Sequence, residues 1–239
     1  MSEQYSLPKS NINLYDITKQ LKTSPSRYDI EGRYTALLQA GEILLCSGYD
    51  KAQPQLIAKT AGVSIGLFYR HFKNKQELLT AIMVHHLGIL HHQITQELDH
   101  YSSPVESLYI VLTLTLRYFQ ANQGLIKLFF MQIGYGDITA TGHLQNARQT
   151  YRNILESVLR SGIDEGIFLA PDILDIQIAI NSIIGTVNWS LYDILIVRNE
   201  NIASEELAKR LTLHMLRGLG CERDAALETI VIVEDRSLA

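Results

Sequence analysis

The stretch Lys51–Lys75, KAQPQLIAKTAGVSIGLFYRHFKNK, constrains the fold of this chain more than any other. It carries five Lys or Arg and no acid, within a sequence whose formal net charge is -4. The other residues thus hold 16 basic against 25 acidic side chains, and a basic island on an acidic protein is a footprint for a polyanion. Its grammar is that of two short helices about a tight turn. Pro54 suits the first turn of a helix, where no N–H is needed, and Leu56-Ile57-Ala58 gives that helix an apolar side. Gly62 supplies a positive φ at the turn, and Ser64 is an N-cap for a second helix running to Phe72. Phe68 and Phe72, one turn apart, face inward there; Ile65, Gly66, Leu67, Tyr69, Arg70 and His71 occupy the other side. The pattern is a helix-turn-helix with a recognition helix to present.

The longer string IAKTAGVSIGLFYRHFKNKQELL resembles the DNA-binding signature of the TetR family of one-component bacterial repressors, roughly IA..AGVS.G.LY.HF..K..LL, without a gap. Upstream, Ala40, Ile43, Leu44 and Gly48-Tyr49 resemble the family's first helix and its exit, so the specific match covers about Leu37 to Leu79. Two departures stand out. Gly41 sits inside that first helix at a cost of about 1 kcal/mol against Ala, and Ala52-Gln53-Pro54 replaces a Thr-rich cap. The resemblance implies an all-α protein: residues 29–75 a DNA-binding domain, 76–220 a ligand-binding and dimerisation bundle. It implies a homodimer on palindromic double-stranded DNA, repression relieved by a small, largely apolar effector, and a cytoplasmic setting. By the same resemblance Tyr69, His71 and Lys75 touch the DNA backbone, Ser64 does so through its hydroxyl and N–H, and Gly66 allows close approach. Arg70 and Lys73 add charge, and Gln53 and Gln55 stand where further phosphate or base contacts arise. Ile65 and Leu67 cannot hydrogen-bond a base edge; their natural partner is a thymine methyl.

Length and composition agree. A chain of 239 residues, 46% hydrophobic, builds one large or two modest domains. Met1 to Asn13 is polar and shows no signal pattern, and the longest uncharged stretch, Ile176 to Tyr192, is interrupted by Asn, Ser, Thr and Gln, so no membrane partner is expected. Cys46 and Cys221 have neither zinc spacing nor a disulfide framework. No glycine-rich phosphate loop, nucleophile elbow or paired-carboxylate motif points to an enzyme, and no cofactor is expected. His85, His86, His91, His92 and His100 lack the i,i+3 or i,i+4 spacing of helical zinc ligands; the alternatives are a metal- or pH-responsive regulator, or a ligand- or partner-binding module with vestigial DNA contacts.

Residues 1–28 are a polar arm, either flexible or laid on DNA through Lys19, Lys22, Arg27 or, just beyond it, Arg33. After the helix-turn-helix, Asn74 caps a helix from Lys75 to about His100, and Pro104 opens one that is apolar almost all round and therefore central. Shorter and longer helices follow over about Leu125 to Ile133, Ile138 to Glu165, Asp172 to Val197 and Ser204 to Leu219. Thr115, Phe119, Phe129, Phe130, Met131, Tyr135, Tyr151, Asn181, Asn188 and Trp189 are the candidate pocket residues. By resemblance the last two helices form the dimer contact, through Ile173, Ile176, Ile180, Ile183, Val187, Leu191, Leu207 and Leu211. Residues 221–239 are a tail with a strand-like run, Ile230 to Val233.

Overall fold

The computed structural model describes residues 30–135, 142–169, 172–200, 202–221 and 229–230. All regular structure among them is helical, as the sequence predicts. The helices are α1 (Ile30–Ser47), α2 (Pro54–Thr60), α3 (Ile65–His71), α4 (Lys75–Leu98), α5 (Pro104–Ala121) and α6 (Gly124–Tyr135). Then come α7 (Gly142–Asp164), α8 (Ile173–Tyr192), which runs on into a π-helical turn (Asp193–Val197), and α9 (Ser204–Gly218). The arm over residues 1–28, with Lys19, Lys22 and Arg27, lies outside the described residues, as does most of the tail. Of the strand-like run only Ile230 is described; it is buried and its backbone is helical.

The chain divides into two compact units between Ile82 and Met83, inside α4 and not at its N-terminus. The physical reason is visible in the first unit. Leu37, Leu38, Ala40, Leu44 and Leu45 of α1 are buried together with Ile57 and Ala58 of α2, Phe68 and Phe72, and Leu78, Leu79 and Ile82 from the first two turns of α4. Gly41 is where α4 meets α1. A Cβ at this position would stand 2.5 Å from Leu78 Cδ2, with Leu78 Cγ at 3.1 Å and Ile82 Cδ1 at 3.3 Å. What looks in the sequence like a helix-weakening glycine is the notch that receives Leu78.

In the second unit α5 is the central helix, packed by α7, α8 and α9. Its buried residues run from Val105 through Phe119, on every side of the helix. Buried Thr113 and Thr115 satisfy their hydroxyls locally, donating to Tyr109 O at 2.8 Å and Val111 O at 2.7 Å. Asp172 caps α8, its Oδ1 accepting from the N–H groups of Leu174 at 2.8 Å and Asp175 at 3.0 Å.

The face of α8 differs from the expected one. Ile176, Ile180, Ile183, Val187 and Leu191 are buried inside this single chain, as is Leu207 of α9, while Leu211 is half-buried. The buried ones form the bundle core, Leu211 keeps part of its surface, and of the residues expected at the contact Ile173 is exposed. The apolar residues that α8 leaves exposed are Ile173, Leu174 (63%), Ile178 (53%) and Trp189 (63%). A helix apolar on more than one face satisfies its bundle with one stripe and exposes another, and periodicity alone does not rank the two. Taken whole, Ile173–Val197 is long and apolar enough to cross a membrane by length and composition, but its inner stripe is used by the bundle.

Gly41→Ala is expected to destabilise the protein despite the better helix propensity of Ala. Overpacking costs about 1–3 kcal/mol and propensity returns about 1 kcal/mol, because Leu78 is fully buried and has nowhere to swing. A thermal unfolding midpoint lowered by a few degrees supports this; an unchanged or raised midpoint contradicts it.

Candidate nucleic-acid interface and ligand cavity

The helix-turn-helix closes by a specific hydrogen-bond pattern. Gly62, at φ +67°, donates to Lys59 O at 3.2 Å, and Val63 donates to Ala58 O at 3.0 Å, the two bonds of a Schellman stop. Ser64 then starts α3, its Oγ accepting from Leu67 N–H at 3.2 Å. Gln53 does not cap α2 with its side chain; its Nε2 donates to Asp50 O at 2.8 Å, and it and Gln55 remain exposed.

α3 has only seven residues, too few to hold a helix unaided. Phe68 (fully buried) and Phe72 anchor it, their ring centroids 5.7 Å apart, with Tyr34 of α1 stacked on Phe72 at 5.6 Å. The outward face then carries Ser64, Ile65, Gly66, Tyr69 and Arg70, all exposed, with Leu67 half-buried beside them. Arg70 and Lys73 are exposed, and among the described residues no acid pairs with either. This is a cationic, partly apolar surface on a rigidly seated helix.

Two residues expected at the DNA backbone are otherwise engaged. Lys75 Nζ donates to Tyr49 O at 2.8 Å and lies 4.0 Å from the centroid of the Tyr49 ring, which ties the start of α4 to the exit of α1. His71 is half-buried, edge-on to Tyr34 at 5.4 Å, and its Nε2 is enclosed without a partner, so that nitrogen does not face a phosphate. Burial, and secondarily Arg70, pushes the His71 pKa down. Asn74 and Glu77 close the α4 end reciprocally: Asn74 Oδ1 accepts from Glu77 N–H at 2.9 Å and Glu77 Oε2 from Lys73 N–H at 2.5 Å.

The second unit contains a cavity of about 180 Å³. Its apolar walls are Leu87 and Leu90 of α4, Phe119 of α5, Phe129 of α6, and Ile184 and Val187 of α8. Thr115, Tyr151, Asn188, Arg148 and Arg152 supply the polar groups. Thr115 Oγ1 donates to Val111 O, so Tyr151 OH, 2.9 Å away, donates to Thr115. Burial pushes the Tyr151 pKa up to about 12, the Thr115 bond opposing it, so the phenol stays neutral. His91, buried, stacks on Tyr151 at 6.0 Å with its Nε2 unpartnered.

Of the candidate pocket residues, Thr115, Phe119, Phe129, Tyr151 and Asn188 meet here. Phe130 lies on a neighbouring void, and half-buried Met131 is not on the wall. Exposed Asn181 accepts from Arg152 at 2.7 Å, and Trp189 is exposed. The Tyr135 side chain lies outside the described residues. The sequence reading missed both arginines. Arg148 sits four residues after Leu144 and three before Tyr151, in the apolar register of α7, and a cation in a core register was the available signal. Its guanidinium lies 5.9 Å over the Phe129 ring, desolvation pushes its pKa down, and among the described residues no carboxylate pairs with it. Arg152 is held by Asn181 and by Gln177 Oε1 at 2.5 Å.

Residues 37–82 match the family described as "Bacterial regulatory proteins, tetR family", and residues 101–192 match "Tetracyclin repressor-like, C-terminal domain". The fatty acid metabolism regulator protein of Bacillus subtilis is 24% identical over 157 residues, covering 65% of this chain and 80% of that one. The fold is shared with the transcriptional regulator FadR from Bacillus subtilis in complex with stearoyl-CoA (TM-score 0.69, 21% identity, 77% of this chain and 98% of that one). It is also shared with the fatty acid degradation regulator FadR from Bacillus halodurans (TM-score 0.67, 23% identity, 78% and 99%).

Because burial holds the pKa of His91 below its usual 6.5, the unfolded chain takes up this proton first as the pH falls. Stability is therefore expected to decline from pH 6.5 downward, through the lower folded pKa, with His71 acting in the same direction. His91→Gln should flatten the decline in a series of unfolding midpoints. An identical pH profile in the variant would contradict the assignment.

Proposed function

This chain belongs to the TetR family of bacterial regulatory proteins and is a DNA-binding transcriptional regulator, and from that premise we propose that it represses transcription as a homodimer on a palindromic operator and is released by an acyl-CoA thioester. The observation that carries the DNA half is the seated α3 helix, presenting Ile65, Tyr69 and Arg70 outward beside Lys73 with no acid among them. Phosphate contacts from these cations give salt-dependent affinity, while Ile65, 38% exposed, favours a thymine methyl in each half-site. The unit that ends at Ile82 supplies the DNA-binding part, the unit that begins at Met83 the effector and dimer part, and the protein works in the cytoplasm on the nucleoid. The exposed stripe Ile173, Leu174, Ile178 and Trp189 supports a second copy packing on α8, since a single chain leaves it in water.

The effector class rests on the cavity chemistry together with the relatives. An apolar hollow beside Arg148, a cation paired with no carboxylate among the described residues, fits an acyl chain carrying an anionic head. Asn188, whose amide has no partner among the described residues, suits the thioester carbonyl. The FadR relatives are named for fatty-acid metabolism, and one is in complex with stearoyl-CoA. α4 supplies Leu87 and Leu90 to the cavity and begins at Lys75, tied to Tyr49, so a ligand that fits only one setting of α4 shifts the population of DNA-competent dimers.

On operator DNA, Arg70→Ala is expected to weaken binding and to reduce the slope of log affinity against log salt by about one. Lys75→Gln is expected to keep the slope and lower the thermal midpoint, because Lys75 serves the protein and not a phosphate. Equal losses of slope in both variants would overturn that division. Acyl-CoA thioesters should weaken DNA binding where free coenzyme A does not; indifference to every thioester would remove the effector class and leave the regulator.

A further inference from the structure

The cavity is partly open to solvent, with Arg148 and Arg152 of α7 and Ile184 and Asn188 of α8 in its lining. Gln177, Asn181, Ile184 and Asn188 recur at helical spacing, so they stand in one line along α8. Arg148 shares the Phe129 wall with Asn188, at one end of that line. The Arg152 guanidinium is turned to the other end, its Nη1 donating to Asn181 Oδ1 at 2.7 Å and its Nη2 to Gln177 Oε1 at 2.5 Å. Both acceptors are neutral, so they fix the planar group without cancelling its charge. Glu156, one turn further along α7, is bonded to Arg160 at 2.7 Å, and among the described residues no carboxylate pairs with Arg152. Two of its five N–H groups are used, and three remain for a guest. A guanidinium held in this way has already lost the side-chain freedom that capturing an anion would otherwise cost.

The distance along α8 selects the anion. Asn181 and Gln177 precede Asn188 by about 10 to 16 Å along the helix axis. A carboxylate at the end of an acyl chain does not reach both Asn188 and the Arg152 guanidinium. In an acyl-CoA the pantetheine arm, about 15 Å when extended, separates the thioester from the diphosphate. Resting on the acyl-CoA reading above, we propose that Arg152 is a specificity-determining residue that binds the coenzyme A diphosphate, with Gln177 and Asn181 as its positioning residues. The apolar walls then read the acyl chain, Asn188 the thioester, and Arg152 the carrier. The regulator thereby distinguishes an acyl-CoA from a free fatty acid and from the same chain on an uncharged carrier.

Matched thioesters test this: octanoyl, lauroyl and palmitoyl chains, each on coenzyme A and on pantetheine, which keeps the thioester and the arm and lacks every phosphate. Binding to the free protein and the concentration that halves DNA binding are read at low and at high salt. For the chain that binds best, the wild-type protein should respond to the coenzyme A form at a concentration about tenfold lower, or lower still. That advantage should shrink as salt is raised. Arg152→Gln should lose most of it while binding the pantetheine thioester as the wild type does. Arg152→Lys, which keeps the charge without the planar fork, should retain part of it, as should Gln177→Ala. Equal response to the two carriers in the wild type overturns the diphosphate site while leaving an acyl thioester effector standing, and this arm needs no variant to fold. An unchanged advantage in Arg152→Gln, or equal weakening of both carriers, overturns the role of Arg152 and leaves it a tie between α7 and α8. Silence of the wild type toward every thioester overturns the effector class and this site with it.

Discussion

The recognition surface depends on the burial of Phe68 and Phe72. α3 is two turns long, and nothing in its own hydrogen bonds would hold it helical in water. The paired rings, with Tyr34 stacked on Phe72, convert a marginal helix into a fixed one. Fixing the helix orders Ile65, Tyr69 and Arg70 before DNA arrives, which lowers the entropic cost of binding. The Schellman stop at Gly62 and the Ser64 cap act on the same problem from the other end, by satisfying backbone groups where α2 ends and α3 begins.

The second unit uses a complementary device. Its core is nearly all aliphatic and aromatic, and the polar atoms that reach the cavity are either satisfied inside the protein or available to a guest. Thr115 and Tyr151 belong to the first kind: their hydroxyls form a closed chain ending on Val111 O. Arg148 and Asn188 belong to the second kind. The Arg148 guanidinium, exposed and paired with no carboxylate among the described residues, lies at the rim of apolar walls, where an anion can join it.

Much of this was legible in the sequence, and the parts that were not share a cause. The helix-turn-helix followed from local signals: Pro54, Gly62, Ser64 and the Phe68/Phe72 spacing each act within a few residues. Likewise α5 was recognisably central because it is apolar on every side, and Asp172 was placed at a helix start by Pro171 before it. Long-range partners were not legible. Nothing near Lys75 reveals Tyr49, 26 residues away, and nothing near Gly41 reveals Leu78. The family resemblance gives Lys75 a phosphate as partner, and the contact it makes within the protein, to Tyr49, lay outside what the resemblance could supply. On α8 the sequence offered two apolar stripes, and the choice between core and surface was made by α5 and α7, which no local pattern of α8 encodes. Arg148 was the one case where a signal was present and passed over.

The central claim is that the basic helix-turn-helix reads a specific palindrome. The most direct measurement is selection of bound fragments from the source genome's promoter DNA by the purified protein, at physiological salt and with excess non-specific competitor. The account predicts recovery of one palindromic motif, with a thymine in each half-site whose replacement weakens binding and whose preference is lost in Ile65→Ala. Recovery of no motif above competitor by correctly folded protein, with and without acyl-CoA thioesters, would contradict it.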